Sequence, residues 1–158
     1  FKLKNHAKIN TMKNLFEESV YKEIRERLNN LNENSERQWG KMTHGQMMHH
    51  CQGPFNIMLG KNDYGMKPNW LAKVFFKKSL YNDKLWRKNL PTASFLRETE
   101  PRDFHVEKKN LEGLLDEFNS QRDRDDWPEH PGFGHFTKEQ YGQMQYKHLD
   151  HHLRQFGV

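Results

Sequence analysis

Apolar positions recur every three or four residues in four long stretches of this chain, a spacing that predicts helices and no strand. The first stretch runs from about Asn14 to Leu31, with Phe16, Val20, Ile24, Leu28 and Leu31 on one stripe. Asn14 is placed to cap it, with Glu17 three residues on. The second opens at Thr43-His44-Gly45-Gln46, a capping box flanked by Met42 and Met47 as a hydrophobic staple, and runs to about Leu59. Pro54 inside it removes the bond to the His50 carbonyl and predicts a kink. The third spans about Asp103 to Phe118, with Phe104, Leu111, Leu114, Leu115 and Phe118 on a face. The fourth starts at a second capping box, Thr137 to Gln140, with Phe136 and Tyr141 as its staple, and runs to about Gln155.

Between the second and third helices lie residues 61–103. A short helix over Asn69 to Leu80, bearing Leu71, Val74, Phe75 and Leu80, is expected there, and the rest reads as loop through Pro91 and Pro101. A connection this long is uncommon unless it has a task. It is long enough to return the chain along the bundle, so that helices two and three run parallel. A charged loop, Asn119 to Phe136, precedes the fourth helix. The expected fold is therefore all-α, one domain over residues 12–158. Residues 1–11 read as a leader or a poorly ordered extension.

Apolar residues make up only 34% of the 158, but 13% are aromatic, and large rings bury enough area to build a core. With Cys51 as the single cysteine, no disulfide framework exists, which fits a reducing compartment such as the cytoplasm. No segment has the run of about 18 apolar residues that spans a bilayer, and no membrane partner is expected. The net charge of +5 is local: residues 61–90 hold eight lysines and arginines against Asp63 and Asp83. Such a segment attracts anions. It reads first as a solvated loop surface, and without a recognisable motif nucleic acid is not expected as a partner.

Candidate chemistry comes from histidines on apolar stripes. In the second helix the stripe is Met47, His50, Cys51, Pro54, Phe55 and Met58, so His50 points inward and His49 lies on the polar side. In the fourth it is Tyr141, Met144, His148, Leu149, His152 and Phe156, with His151, Lys147 and Arg154 on the wet side. His148 and His152, one turn apart, present two imidazoles to a common point. His50 stands roughly 10 Å along its helix, and the His148–His152 midpoint roughly 9 Å from the end of its own. If these helices are antiparallel, the three fall at one level. Buried imidazoles are usually neutral and hydrogen-bonded, but three of them without partners would cost several kcal/mol.

Three neutral imidazoles suit zinc, nickel, iron or copper better than magnesium or calcium, and leave coordination positions for water or substrate. Leu149, Asp150 and His151 stand between His148 and His152 in place of the glutamate of a zinc protease, which disfavours peptidase chemistry. Gln46, one turn before His50, and Tyr141 are structural residues or contacts behind the ligands or to substrate. Cys51, about 100° round the helix from His50, reads as a core residue ahead of a fourth ligand.

The segment Trp39-Gly40-Lys41-Met42 with Gln46, Met47, His50 and Cys51 resembles the second-helix signature of the DinB/YfiT-like superfamily. His130-Pro131, Phe133-Gly134, Thr137 and Gln140, leading into the run from His148 to Gly157, resemble the DinB-like branch that ends in an HHLRQFG helix. The resemblance covers about residues 12–158. It implies a four-helix bundle in up-down-down-up order with a long crossover after the second helix. It also implies a metal site, zinc or nickel, on His50, His148 and His152, and a homodimer. Some members of the superfamily transfer low-molecular-weight thiols, and others are described as metal-dependent hydrolases. Two readings follow: a metal-dependent transferase or hydrolase, its basic crossover favouring an anionic thiol, and a non-catalytic metal-binding or stress-response module. An open coordination position would favour the first.

Overall fold

A computed structural model describes residues 12–158 as an all-helical chain, with no named strand among them. The expected extension over residues 1–11 lies outside the described residues. Five helices follow in order: α1 (Glu18–Asn30), α2 (His44–Met58), α3 (Trp70–Phe75), α4 (Phe104–Ser120) and α5 (Lys138–Gln155). Single 3-10 turns occur at Lys77–Leu80 and Ser94–Leu96. The four long helices expected from the periodicity are α1, α2, α4 and α5. No described helix is long and apolar enough to cross a membrane.

The caps form as their chemistry requires. Thr43 Oγ1 accepts from the Gln46 amide while the Gln46 side chain accepts from the Thr43 amide, and Thr137 and Gln140 repeat the exchange. The Phe136 and Tyr141 rings lie 5.0 Å apart across the start of α5, as a staple demands. Asp103 caps α4 through the Val106 amide, at 2.8 Å. Pro54 sits within the continuous span of α2.

The start of α1 differs from expectation. Asn14 Oδ1 accepts from the Phe16 amide at 2.9 Å, forming a turn ahead of the helix, and α1 begins only at Glu18. A tertiary contact overrides the local cap here, because the Leu15 amide donates to the Gly142 carbonyl of α5 at 3.1 Å.

The apolar stripes meet in one core that includes Leu15, Ile24, Phe55, Leu111, Phe118 and Phe156. Phe118 is fully buried, with Phe16 stacked on it at 4.4 Å and Phe55 edge-on at 5.4 Å. The helices are also tied by polar bonds. Gln52 of α2 donates to the Glu107 carboxylate of α4 at 2.7 Å, Tyr21 of α1 to Asp116 of α4 at 2.6 Å, and Arg27 of α1 to Asp150 of α5 at 2.9 Å.

The crossover lies along α2 and α5. Lys147 Nζ of α5 donates to the Ser79 carbonyl at 2.7 Å and to Asn82 Oδ1 at 2.6 Å, and the Trp86 indole donates to the same Ser79 carbonyl at 2.8 Å. Lys147 and His151, expected on the wet side of the last helix, are therefore buried. Helical spacing places them away from the Leu149 stripe, but the crossover supplies a second dry face. His49 of α2 is half-buried for the same reason, its Nδ1 lying 2.6 Å from the Glu98 carboxylate.

Candidate metal centre

His50 of α2 and His148 and His152 of α5 converge on one point. All three are buried, and one ring nitrogen from each lies within 4.8 Å of the others. Their ring centroids stand 4.7 to 5.0 Å apart. The inward stripes of the two helices thus meet as the spacing requires.

Hydrogen bonds settle how two of the rings present themselves. His50 Nδ1 lies 2.9 Å from the Leu96 carbonyl, which can only accept, so Nδ1 carries the proton and Nε2 offers a lone pair. For His152, the Gln155 Nε2 group donates to the Trp39 carbonyl at 3.0 Å, which leaves Gln155 Oε1 as the acceptor for His152 Nδ1 at 2.8 Å. His152 Nε2 is therefore also a lone pair facing inward. Metal-binding histidines depend on such outer bonds for their tautomer and orientation. His148 Nε2 lies 3.0 Å from His50 Nε2, while its Nδ1 is buried without a protein partner.

Two glycines lie against the groups that make these outer bonds. A Cβ on Gly53 of α2 would come within 2.4 Å of the tip of the Leu96 side chain, so the crossover packs closely on α2 there. Gly40 has a φ of +81°, and a Cβ there would lie 2.3 Å from the Gln155 amide nitrogen that reaches Trp39.

Burial holds all three imidazoles neutral. The His50 pKa falls below the usual histidine value because the ring is desolvated, against the opposing pull of the Leu96 carbonyl and the Glu98 charge. Those of His148 and His152 fall well below it, through burial first and then the neighbouring imidazoles. Neutral rings are the form that binds a metal ion.

One pair of these nitrogens already stands at the separation that a shared ion imposes. Nitrogens bound at about 2.0–2.1 Å stand roughly 2.9–3.4 Å apart for bond angles of about 90° to 110°. The 3.0 Å between His50 and His148 Nε2 falls in that range. The nitrogen donor set is of the borderline kind that transition metals prefer.

The other residues singled out in the sequence have separate partners. Gln46 caps α2 through Oε1 and fastens the crossover by donating from Nε2 to the Glu100 carbonyl at 3.0 Å. The Tyr141 hydroxyl donates to the Pro128 carbonyl at 2.6 Å, and burial pushes its pKa up. Cys51 is fully buried beside Met47, its thiol pKa also raised by burial.

Sequence reasoning missed the surround. Trp86 stands edge-on to His148 at 6.1 Å and to His151 at 5.6 Å, and the Trp39 ring lies 5.6 Å from His151 on another side. Gln155 left a readable signal, a hydrogen-bonding side chain three residues after an inward histidine. Leu96 acts through its backbone and left none.

No curated protein and no solved structure matches the chain. One family model matches residues 11–157, nearly the whole length, and the chain belongs to that family, the DUF1569 proteins, described as of unknown function.

Proposed function

We propose that this chain is a DinB-like four-helix bundle binding one divalent transition metal ion, zinc or nickel, through Nε2 of His50, His148 and His152. We further propose that it is a metal-dependent enzyme of the thiol-transferase or hydrolase type. The observation that carries the metal reading is the convergence of three neutral imidazoles from two helices within 4.8 Å. Two of them already have their Nδ1 positions committed to outer acceptors.

The pattern of interhelical ties supports the up-down-down-up order. Contacts advance together along α1 and α5, from Leu15–Gly142 to Arg27–Asp150, and along α2 and α4, from Gln52–Glu107 to Lys61–Glu117. They run oppositely along α2 and α5, from Met58–Gln145 to Trp39–Gln155. Down-down pairing of α2 with α4 is what a long crossover allows.

A bound ion would supply Lewis acidity, lowering the pKa of a thiol or water at its open position. The chain's own residues do the rest. Leu96 and Gln155 orient two rings, Trp86 limits water beside His148, and the basic crossover favours an anionic low-molecular-weight thiol. A homodimer in the cytoplasm completes the reading. One observation favours the non-catalytic module: His50, His148 and His152 are only 5 to 7% exposed. Neither described cavity, one beside Gly60 and Glu129 and one beside Gln52 and Glu117, is lined by them. An enzyme would have to move the crossover to admit substrate.

Zinc- and nickel-loaded protein, assayed with thiol–electrophile pairs and activated esters, tests the enzyme reading. Metal-dependent turnover that disappears in His50→Ala is expected. Stoichiometric metal with no turnover across such a panel would favour the module.

A further inference from the structure

The crossover has an outer side that the metal reading does not use. In α3, Trp70 is 71% exposed, Phe75 70% and Val74 65%, and Leu71 is exposed as well. At about 100° per residue these four side chains span an arc of roughly 140°. Phe76, just past the helix, is 62% exposed. Contiguous exposed apolar surface of this kind marks an interaction site. The stretch from Lys67 to Lys78 holds four lysines and no acidic residue, and Lys67, Lys73 and Lys78 are exposed. Lys77 instead turns back over the Phe136 ring, where it donates to the His135 carbonyl.

From this juxtaposition of exposed Trp70, Leu71, Val74 and Phe75 with exposed Lys67, Lys73 and Lys78, we propose that the outer face of α3 docks on an anionic lipid surface. Tryptophan and phenylalanine beside lysine suit the headgroup boundary, where rings enter the acyl region and ammonium groups meet lipid phosphates. Charge decides against the obvious alternative. A two-fold contact places the same patch of each copy against the other and would bring these lysines together. The proposal concerns a chain lying on the membrane, since no described helix can span one. It departs from the sequence reading, which took the basic excess for a solvated surface and expected no membrane partner.

The test is sedimentation of the full chain with phosphatidylcholine vesicles and with phosphatidylcholine–phosphatidylglycerol vesicles, at low and high salt, beside light scattering of the free protein. Partitioning onto the mixed vesicles alone, suppressed by salt, is expected. Removing one lysine charge near such a surface weakens binding roughly fivefold, so Lys73→Glu/Lys78→Glu should lower it at least about 25-fold. Trp70→Ser/Phe75→Ser should also lower it, with thermal unfolding unchanged in both variants because these side chains are exposed. Absence of partitioning overturns the proposal. If the free protein is then a dimer that Trp70→Ser/Phe75→Ser dissociates, the face belongs to a second copy. If it is a monomer, the patch is merely solvated.

Discussion

Around Trp86 the molecule buries polar side chains, and around Trp70, on the same crossover, it exposes apolar ones. His148, His151, His152 and Lys147 are all under 8% exposed, whereas Trp70, Val74, Phe75 and Phe76 are all above 60%. Both regions invert the usual rule, and partners explain part of the first, where only the Nδ1 atoms of His148 and His151 lack one. Lys147 has three oxygen acceptors from Ser79 and Asn82. His50 and His152 have theirs in Leu96 and Gln155. Polar groups tolerate burial when their bonds are supplied, and the bonds here come from the crossover for Lys147 and His50 and from α5 itself for His152. The apolar face of α3 has no such counterpart among the described residues.

This contrast can be broken most forcefully with acid. The three cluster histidines have depressed folded pKa values, caused first by burial. The unfolded chain therefore binds more protons below the ordinary histidine value. Stability should be complete above about pH 6.5 and fall as the pH drops from there toward the folded values. His130, lowered to about 4 by burial and by the Lys77 charge, adds to the same trend. Chemical denaturation between pH 8 and pH 5 reads the effect. A Trp70→Ser/Phe75→Ser variant should show the same pH dependence as the wild type.

Next in size is the core. Phe118→Ala removes a fully buried ring and should cost about 3–5 kcal/mol. Phe75→Ser, at an exposed ring, should stay within about 0.5 kcal/mol. Urea unfolding of the two variants compares the two environments directly. Gln155→Ala frees the His152 ring and should weaken metal binding by about 10- to 100-fold while leaving the fold intact, measured by competition with a chelator. At the cap of α5 a smaller loss than in the core is expected: Thr137→Ala should cost about 1 kcal/mol.

The parts of this architecture that depend on neighbours in sequence were legible in it. Both capping boxes, the start of α4 near Asp103 and the inward stripes of α2 and α5 follow from spacing alone, and the stripes point His50, His148 and His152 inward. What escaped depends on distant chain. Asn14 turns before α1, and does not cap it, because Leu15 is held by Gly142. His151 and Lys147 are dry because residues 79–86 cover them, although a helical wheel assigns them to solvent. The capping role of Gln46 lies in the Thr43–Gln46 spacing, but its Nε2 bond to the Glu100 carbonyl of the crossover has no such signal. A carbonyl such as that of Leu96 has no side-chain signature at all.

The claim at the centre is that His50, His148 and His152 hold one metal ion. Untagged protein should be purified and its metal content measured by mass spectrometry after dialysis against zinc or nickel, beside His50→Ala and His148→Ala. Close to one equivalent in the wild type and almost none in either variant is the predicted result. A wild-type protein that stays metal-free at neutral pH, with both variants folded and indistinguishable from it, would contradict the claim and return the three imidazoles to the core as ordinary buried side chains.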